Sequence, residues 1–185
     1  MPRAFIAIDI DETVRQKLVA AQKGLAATGA QLNIVGAENV HVTMKFLGDV
    51  QESKMAAVAD AIRAAVKGVQ PFDMAVRGIG VFPGLKYISV IWAGVDDGRE
   101  NVVAIQRNID RELQKLGFPP ERDFVPHLTL ARVKSATARE NLVAFIKENA
   151  NAEFGVTRAE AVELKQSTLT PKGPIYSTLA RIELV

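Results

Sequence analysis

Apolar residues recur along this 185-residue chain at two spacings, and each spacing has its own segments. Alternation of apolar and polar positions is typical of half-buried strands, and it predicts strands at residues 3–10, 40–47, 72–79, 87–92 and 125–133, with two more near 154–164 and 175–184. Apolar positions three and four apart predict helices at about residues 14–25, 55–66, 102–116 and 142–146. This order of elements predicts an α+β fold.

The order strand, helix, strand, helix, strand occurs twice, and both copies keep the same internal distance. Phe5 lies 36 residues before His41, and Ile91 lies 36 residues before His127. We therefore expect a single domain over residues 1–185, built of two similar lobes at about 1–82 and 83–185. Since neither lobe covers both faces of its strands, the lobes should pack about a pseudo-two-fold axis, with antiparallel-rich sheets around a central cleft and helices outside.

The chain contains two histidines, His41 and His127, and both open the same pattern of His, apolar residue, Thr, apolar residue. On a strand the histidine shares one face with the threonine two residues later, which is Thr43 in the first motif and Thr129 in the second. A single histidine on a half-buried strand is more often structural than catalytic. Two imidazoles with pKa values near 6.5 can, however, divide acid and base work at neutral pH, while the hydroxyls donate hydrogen bonds to an oxyanion.

Composition limits the remaining chemistry. The chain has no cysteine, which removes disulfides, thiolate nucleophiles, iron–sulfur clusters and cysteine-based zinc sites and is consistent with a cytoplasmic protein. It has no apolar run of about 18 residues or more, so no membrane partner is expected. Net charge is only +2, so a preference for polyanions would need a local basic cleft.

With both motifs in place, the chain resembles the 2H phosphoesterase superfamily, whose two His-x-Thr-x motifs lie about half a chain apart. Phe46-Leu47-Gly48 after the first motif and Ala131-Arg132 after the second fit that pattern. More narrowly, the chain resembles bacterial and archaeal RNA 2′,3′-cyclic phosphodiesterases, also called 2′-5′ RNA ligases. The narrower resemblance rests on residues 3–8, 82–83, 92–94, 167–169 and 173–176.

The resemblance implies the 2H phosphoesterase fold and hydrolysis of RNA ends bearing a 2′,3′-cyclic phosphate to 2′-phosphates, without a metal or other cofactor. It implies that His41 is the proton donor and His127 the proton acceptor, with Thr43 and Thr129 contacting the substrate phosphate. Some members join tRNA halves reversibly by a 2′-5′ linkage, so tRNA halves are candidate partners. We expect the protein to act as a cytoplasmic monomer.

Two cationic residues near the motifs are candidate phosphate contacts. Lys45 follows Thr43 at the spacing that keeps it on the cleft face, although a solvated lysine at a strand end is an equal alternative. Arg132 is out of step with His127 and Thr129, so only a bulge or the end of the strand would bring it to the cleft. The family resemblance favours Arg132 as a contact to the substrate phosphate.

Several other side chains are candidates for contacts to RNA. Single-stranded RNA ends often stack on aromatic residues, and the candidates here are Phe5, Trp92, Phe124 and Tyr176. Since large aromatic residues beside strands belong mostly to the core, we expect at most one of them to stack on a base. Lys165 and Lys172 are candidates to meet RNA phosphates, although isolated lysines near turns usually face solvent.

Two other functional classes remain open at this point. A noncatalytic RNA-end-binding protein would keep the cleft and lack turnover, and the intact histidine pair argues against it. A metal enzyme that uses histidine and carboxylate ligands is the second class. The His-x-Thr motif lacks the ligand spacing of H-x-H or H-E-x-x-H, and no acidic partner is evident.

Overall fold

The computed structural model describes all 185 residues, with nine strands and four helices. The strands are β1 (Arg3–Ile8), β2 (Leu32–Ile34), β3 (Val42–Asp49), β4 (Phe72–Gly84), β5 (Tyr87–Val95), β6 (His127–Val133), β7 (Glu153–Ala159), β8 (Ala161–Thr170) and β9 (Gly173–Glu183). The helices are α1 (Glu12–Ala27), α2 (Met55–Ala65), α3 (Arg99–Gln114) and α4 (Arg139–Glu148). None of these helices is both long and apolar enough to cross a membrane.

One antiparallel sheet contains all nine strands. The order is β9-β8-β1-β3-β6-β5-β4-β7, and β2 pairs with the far end of β6. The two motif strands, β3 and β6, meet at the centre, with β1 beside β3 and β5 beside β6. Four strands follow one another outward from a motif strand on each side of this seam, β3-β1-β8-β9 on one side and β6-β5-β4-β7 on the other. This arrangement confirms the predicted α+β fold with two similar halves about a pseudo-two-fold axis.

The two halves of the sheet are interleaved along the chain. One half consists of β1, β3, β8 and β9, and the other of β2 and β4 to β7. The lobe boundary expected near residue 82 falls inside β4, which pairs with β5 and β7, so that boundary does not separate the halves. The reason is that the C-terminal β8–β9 hairpin returns to pair with β1 and completes the first half.

The strand signal near residues 154–164 belongs to two strands, β7 and β8, with only Glu160 between them. These strands pair in different halves of the sheet, β7 with β4 and β8 with β1. Since one residue spans only about 3.3 Å, the sheet must curve strongly to bring the end of β7 to the start of β8. This curvature gives the sheet a concave side.

Helices cover one face of the sheet and leave the other for the site. Helices α2 and α3 pack against each other on the half that contains β9, and α1 and α4 pack on the half that contains β7. The core lies between helices and sheet, where Ile6 and Ile8 of β1 belong to the same buried cluster as Val14 and Leu18 of α1. Because successive side chains of a strand point to opposite faces, Phe5 and the residues two positions away from it point to the face without helices.

Candidate functional site

The two motif strands touch at one point of pairing, where Val42 of β3 lies opposite Leu128 of β6. In antiparallel strands the residues flanking such a pair also lie opposite each other. The register therefore sets the histidine of each motif across from the threonine of the other motif. Val42 and Leu128 are fully buried in the core, so both histidines and both threonines lie on the opposite face of the sheet.

His41 is held in an aromatic setting at the end of the loop before β3. Its ring stacks on Phe5, with centroids 5.1 Å apart and planes 18° from parallel. Tyr176 of β9 meets the imidazole edge-on at 5.5 Å. The Nε2 atom of His41 lies 3.0 Å from the hydroxyl of Thr43, so the histidine and the threonine of this motif are hydrogen-bonded to each other.

The surroundings of His41 disfavour its protonated form. Burial is the largest cause, and together with the positive charges of Lys165 and Arg15 it lowers the pKa of His41 to about 4, against an opposing effect of Asp9. Lys165 is itself nearly buried and pairs with Glu163 at 3.1 Å. His41 is therefore neutral at neutral pH, and once protonated it is a strong acid for an imidazole.

His127 begins β6 and is oriented by its own backbone. Its Nδ1 lies 2.7 Å from the carbonyl oxygen of Val125, which assigns the proton to Nδ1 and leaves Nε2 as an acceptor. Phe82 meets the imidazole edge-on at 5.1 Å. Burial lowers the pKa of His127, the hydrogen bond to Val125 opposes that effect, and the charge of Arg132 lowers the pKa further.

A β-bulge in β6 determines where Arg132 lies. An extra residue, Leu130, separates the residues that pair with Ile91 and Trp92 of β5. A bulge reverses the alternation of the residues after it, and Arg132 accordingly lines the same cavity as His41. Arg132 was expected to reach the cleft only through a bulge or the end of the strand, and the structure contains such a bulge.

A matching bulge in β3 has the opposite consequence for Lys45. The extra residue there is Met44, so Phe46 turns to the cleft and Lys45 to the helical side. Lys45 is only 4% exposed, and its ammonium donates to the carboxylate of Asp110 at 2.6 Å and to the Pro119 carbonyl at 2.7 Å. Both alternatives given for Lys45 are therefore wrong: it is not on the cleft face as a phosphate contact, and it is buried and not solvated.

The cleft contains two cavities, and Thr43 and Phe46 line both of them. The larger cavity, about 650 Å³, also contains His41 and Arg132 and extends to the turn between β8 and β9. The smaller cavity, about 300 Å³, contains His127. One histidine thus lies in each cavity, on either side of a shared ridge.

The two cavities differ in charge. The larger carries Arg132 and Lys172 against one carboxylate, Glu38. The smaller carries Glu121 and Asp123. Lys45 also borders the smaller cavity, but its ammonium is turned to the helical side and paired with Asp110. The larger cavity therefore suits an anionic group better than the smaller one does.

The four aromatic candidates lie at different parts of the site. Phe5 and Tyr176 pack on His41 and on each other, at 4.7 Å between ring centroids. Trp92 packs on Phe82, 5.0 Å away, and its buried indole N–H has no partner in the protein. Phe124 lines the smaller cavity.

Sequence reasoning missed two residues that contribute to the site, Phe46 and Arg15. Phe46 is 68% exposed on the ridge between the cavities. Arg15 donates to the carbonyl oxygen of Val40 at 3.0 Å and pairs with Asp9 at 2.8 Å, so it fixes the segment before His41. The orientation of Phe46 toward the cleft depends on the bulge at Met44, which the sequence pattern does not show. The helical pattern of α1 gave no sign that Arg15 differs from an ordinary surface residue. The residues of the chain show no cluster of three or more His, Asp or Glu side chains able to hold a metal.

Comparison with known proteins gives both a family and a fold. The model of the 2′-5′ RNA ligase superfamily matches residues 14–168. A protein of Methanothermobacter thermautotrophicus named RNA 2′,3′-cyclic phosphodiesterase is 45% identical over 177 residues, which cover 96% of each chain. A protein of the same name from Methanocaldococcus jannaschii is 38% identical over 96% of this chain and 98% of its own.

Two solved structures share the fold over nearly the whole chain. The Thermus thermophilus protein TT0787 superposes with a TM-score of 0.83 at 27% identity, over 98% of this chain and 97% of its own. Escherichia coli LigT complexed with 3′-AMP superposes with a TM-score of 0.80 at 22% identity, over 100% of this chain and 98% of its own.

Proposed function

Because the chain belongs to the 2′-5′ RNA ligase superfamily, we propose that it hydrolyses the 2′,3′-cyclic phosphate ends of RNA to 2′-phosphates, with its two histidines as an acid–base pair and without a metal. The observation that carries this proposal is the central pairing of β3 with β6 at Val42 and Leu128. It puts both histidines and both threonines on the face of the sheet where the two cavities meet. A cyclic phosphodiester needs such a set: a base for water, an acid for the departing oxygen and donors for the phosphoryl oxygens.

His127 is the base in this proposal. Its Nδ1–H is held by the Val125 carbonyl, so the free Nε2 takes a proton from the attacking water as the bond from water oxygen to phosphorus forms. The bond from phosphorus to the ribose 3′ oxygen breaks at the same centre, and that oxygen takes a proton from Nε2 of His41. The products are a 2′-phosphate and a free 3′-hydroxyl.

His41 takes the role of the acid only with substrate bound. In the free protein, burial, Lys165 and Arg15 lower its pKa to about 4, so its ring carries no proton to donate near neutral pH. Binding of an anionic phosphate favours the imidazolium form, which loads that proton when substrate arrives. Thr43, Thr129 and Arg132 supply the donors for the non-bridging oxygens, since a hydroxyl and a guanidinium both donate to phosphate.

The same steps accept a 5′-hydroxyl in place of water. Deprotonation of that hydroxyl by His127 and departure of the 3′ oxygen would then form a 2′-5′ phosphodiester. We include this reversible joining of RNA ends, such as tRNA halves, in the proposed activity.

The test is product analysis with 2′,3′-cyclic AMP. Phosphorus NMR should show 2′-AMP as the product, at a rate that EDTA leaves nearly unchanged. Dominant 3′-AMP would contradict the roles given to His41 and His127, and a rate that collapses in EDTA and returns with one metal would contradict metal independence. RNA ends that bind without any turnover would identify a noncatalytic RNA-end-binding protein instead.

A further inference from the structure

The smaller cavity is larger and more structured than a site for one water molecule. Its volume of about 300 Å³ reaches the range of small-molecule sites, about 300–1,000 Å³. Three phenylalanines, Phe46, Phe82 and Phe124, line it beside His127. The hydrolytic reaction gives no reason for a cavity of this size and lining next to the base.

The charges of this cavity favour an uncharged group with hydroxyl or amino donors. Asp123 and Glu121 are exposed residues whose carboxylates line its wall. Lys45, which borders the cavity, pairs with Asp110 at 2.6 Å and lies 4.0 Å from the carboxylate of Glu121. Asp123 is therefore the carboxylate without a nearby cation from Lys45. Carboxylates accept hydrogen bonds from hydroxyl and amino groups and repel phosphates. Phosphate-bearing parts of an RNA therefore fit the larger cavity, which contains Arg132.

The wall of the cavity is fixed by buried contacts. Lys45 donates to the carbonyl oxygen of Pro119 at 2.7 Å, and Asp110 accepts the backbone N–H of Glu121 at 2.8 Å. Both contacts hold the segment between α3 and β6, which carries Phe124 and leads to His127. The cavity is thus already shaped before any ligand binds, which lowers the cost of ordering it around one.

We propose that this cavity binds the first nucleoside of an RNA that ends in a free 5′-hydroxyl, and that it thereby directs phosphoryl transfer to that hydroxyl in competition with water. The inference rests on the proposed function, in which His127 is the base. The 5′-hydroxyl gives its proton to His127, its oxygen bonds to phosphorus, the bond to the 3′ oxygen breaks, and that oxygen takes the proton of His41. Atoms balance without a further reactant.

The chemistry of the two RNA ends fits the two cavities. The nucleotide that carries the cyclic phosphate is joined on its 5′ side to further phosphates, so it needs the cavity with Arg132 and Lys172. A nucleoside with a free 5′-hydroxyl has no phosphate next to the reacting oxygen. Its uncharged base can pack against Phe82 and Phe124, while Asp123 accepts hydrogen bonds from its donors.

The experiment measures transfer and hydrolysis in one reaction. The full-length protein is incubated with saturating 2′,3′-cyclic AMP and increasing adenosine, and mass spectrometry quantifies 2′-AMP and adenylyl-(2′-5′)-adenosine. Dinucleotide should form with saturable dependence on adenosine. Methanol at the same concentrations should give at least about tenfold less methyl ester, since it lacks a base to stack.

Two variants and a matched control locate the acceptor. Phe124→Ala should lower the ratio of transfer to hydrolysis about tenfold, the effect of losing one base–aromatic stack. Asp123→Asn should lower it about fivefold, because the amide oxygen of asparagine still accepts a hydrogen bond but without the charge, and asparagine tolerates the left-handed backbone at φ 56°. Tyr87→Ala, which removes a 72% exposed aromatic residue outside both cavities, should leave the ratio unchanged.

The outcomes separate the two proposals. Absence of any 2′-AMP with wild-type protein would refute the proposed function and this inference with it. Hydrolysis without dinucleotide, equal transfer to methanol and adenosine, or an unchanged ratio in both Phe124→Ala and Asp123→Asn would refute the acceptor site alone.

Discussion

Lys45 follows the first motif in β3, yet its role is structural and not catalytic. Its replacement by methionine should therefore destabilise the protein strongly. The side chains of Lys45 and Asp110 are 4% and 9% exposed, with 2.6 Å between ammonium and carboxylate. Methionine fills similar space and leaves the carboxylate buried without its cation, a change that costs about 3–5 kcal/mol. Asp110 keeps hydrogen bonds from Gln106 and Glu121. We therefore expect the lower end, about 3 kcal/mol of unfolding free energy.

Urea denaturation measures this change through the midpoint at constant slope. Lys115→Met is the matched control, because Lys115 pairs with Glu112 at 2.6 Å on the surface and is 64% exposed, and it should shift the midpoint little. Asp110→Asn added to Lys45→Met should recover part of the loss, because asparagine removes the buried charge and its oxygen still accepts the N–H of Glu121.

A Lys45→Met protein within about 1 kcal/mol of wild type, well under the usual cost of a broken buried pair, would refute this role of the ion pair. A protein with both Lys45→Met and Asp110→Asn that is no more stable than Lys45→Met alone would refute that role as well. Either result would mean that the Asp110 carboxylate is not held as a charge in the interior.

Three further predictions concern the site. The pH profile of kcat/KM should be bell-shaped, with its maximum between about pH 4 and 6.5, because the pKa of His41, about 4, and the pKa of His127 are both lowered. At pH values above the maximum both imidazoles are deprotonated, and at pH values below it both are protonated. A maximum at or above pH 8 would contradict these environments. Thr43→Val should lower kcat about tenfold through loss of one hydrogen bond, Thr43→Ser should restore it, and equal rates in all three proteins would exclude the hydroxyl from the reaction. Arg132→Ala should lower kcat/KM about 10- to 100-fold by removing a charged phosphate contact, with partial rescue by Arg132→Lys, and an unchanged kcat/KM would argue against that contact.

The sequence predicted the centre of the fold better than its edges. The strands that carry His41 and His127 show clear alternation, and the equal distances from Phe5 and Ile91 reflect the positions of β1 beside β3 and β5 beside β6. The sequence did not show that β4 pairs in the second half of the sheet and β8 in the first. The local pattern of β4 and β8 is that of an ordinary strand, whichever strands they pair with. Pairing partners are set by tertiary contacts, which a pattern of apolar positions does not contain.

The two bulges explain one correct and one wrong prediction about the site. At 130–132 the order Leu-Ala-Arg breaks the alternation, so the sequence itself suggested that Arg132 needs a bulge. At 44–46 the order Met-Lys-Phe continues the alternation, so the bulge at Met44 was hidden and Lys45 was placed on the wrong face. The charged neighbours of His41 come from distant strands and helices, and no local signal joins them.

The central claim is that His41 and His127 act as one unit, and its most direct test is the rate of 2′,3′-cyclic AMP hydrolysis by both single alanine variants and the double variant. Each single substitution should lower kcat/KM by about 10² or more, the lower range for loss of a positioned acid or base. Because groups that act as a unit are non-additive, the double variant should be little slower than the slower single variant. Near-normal hydrolysis by either folded single variant, or losses that multiply in the double variant, would contradict the account.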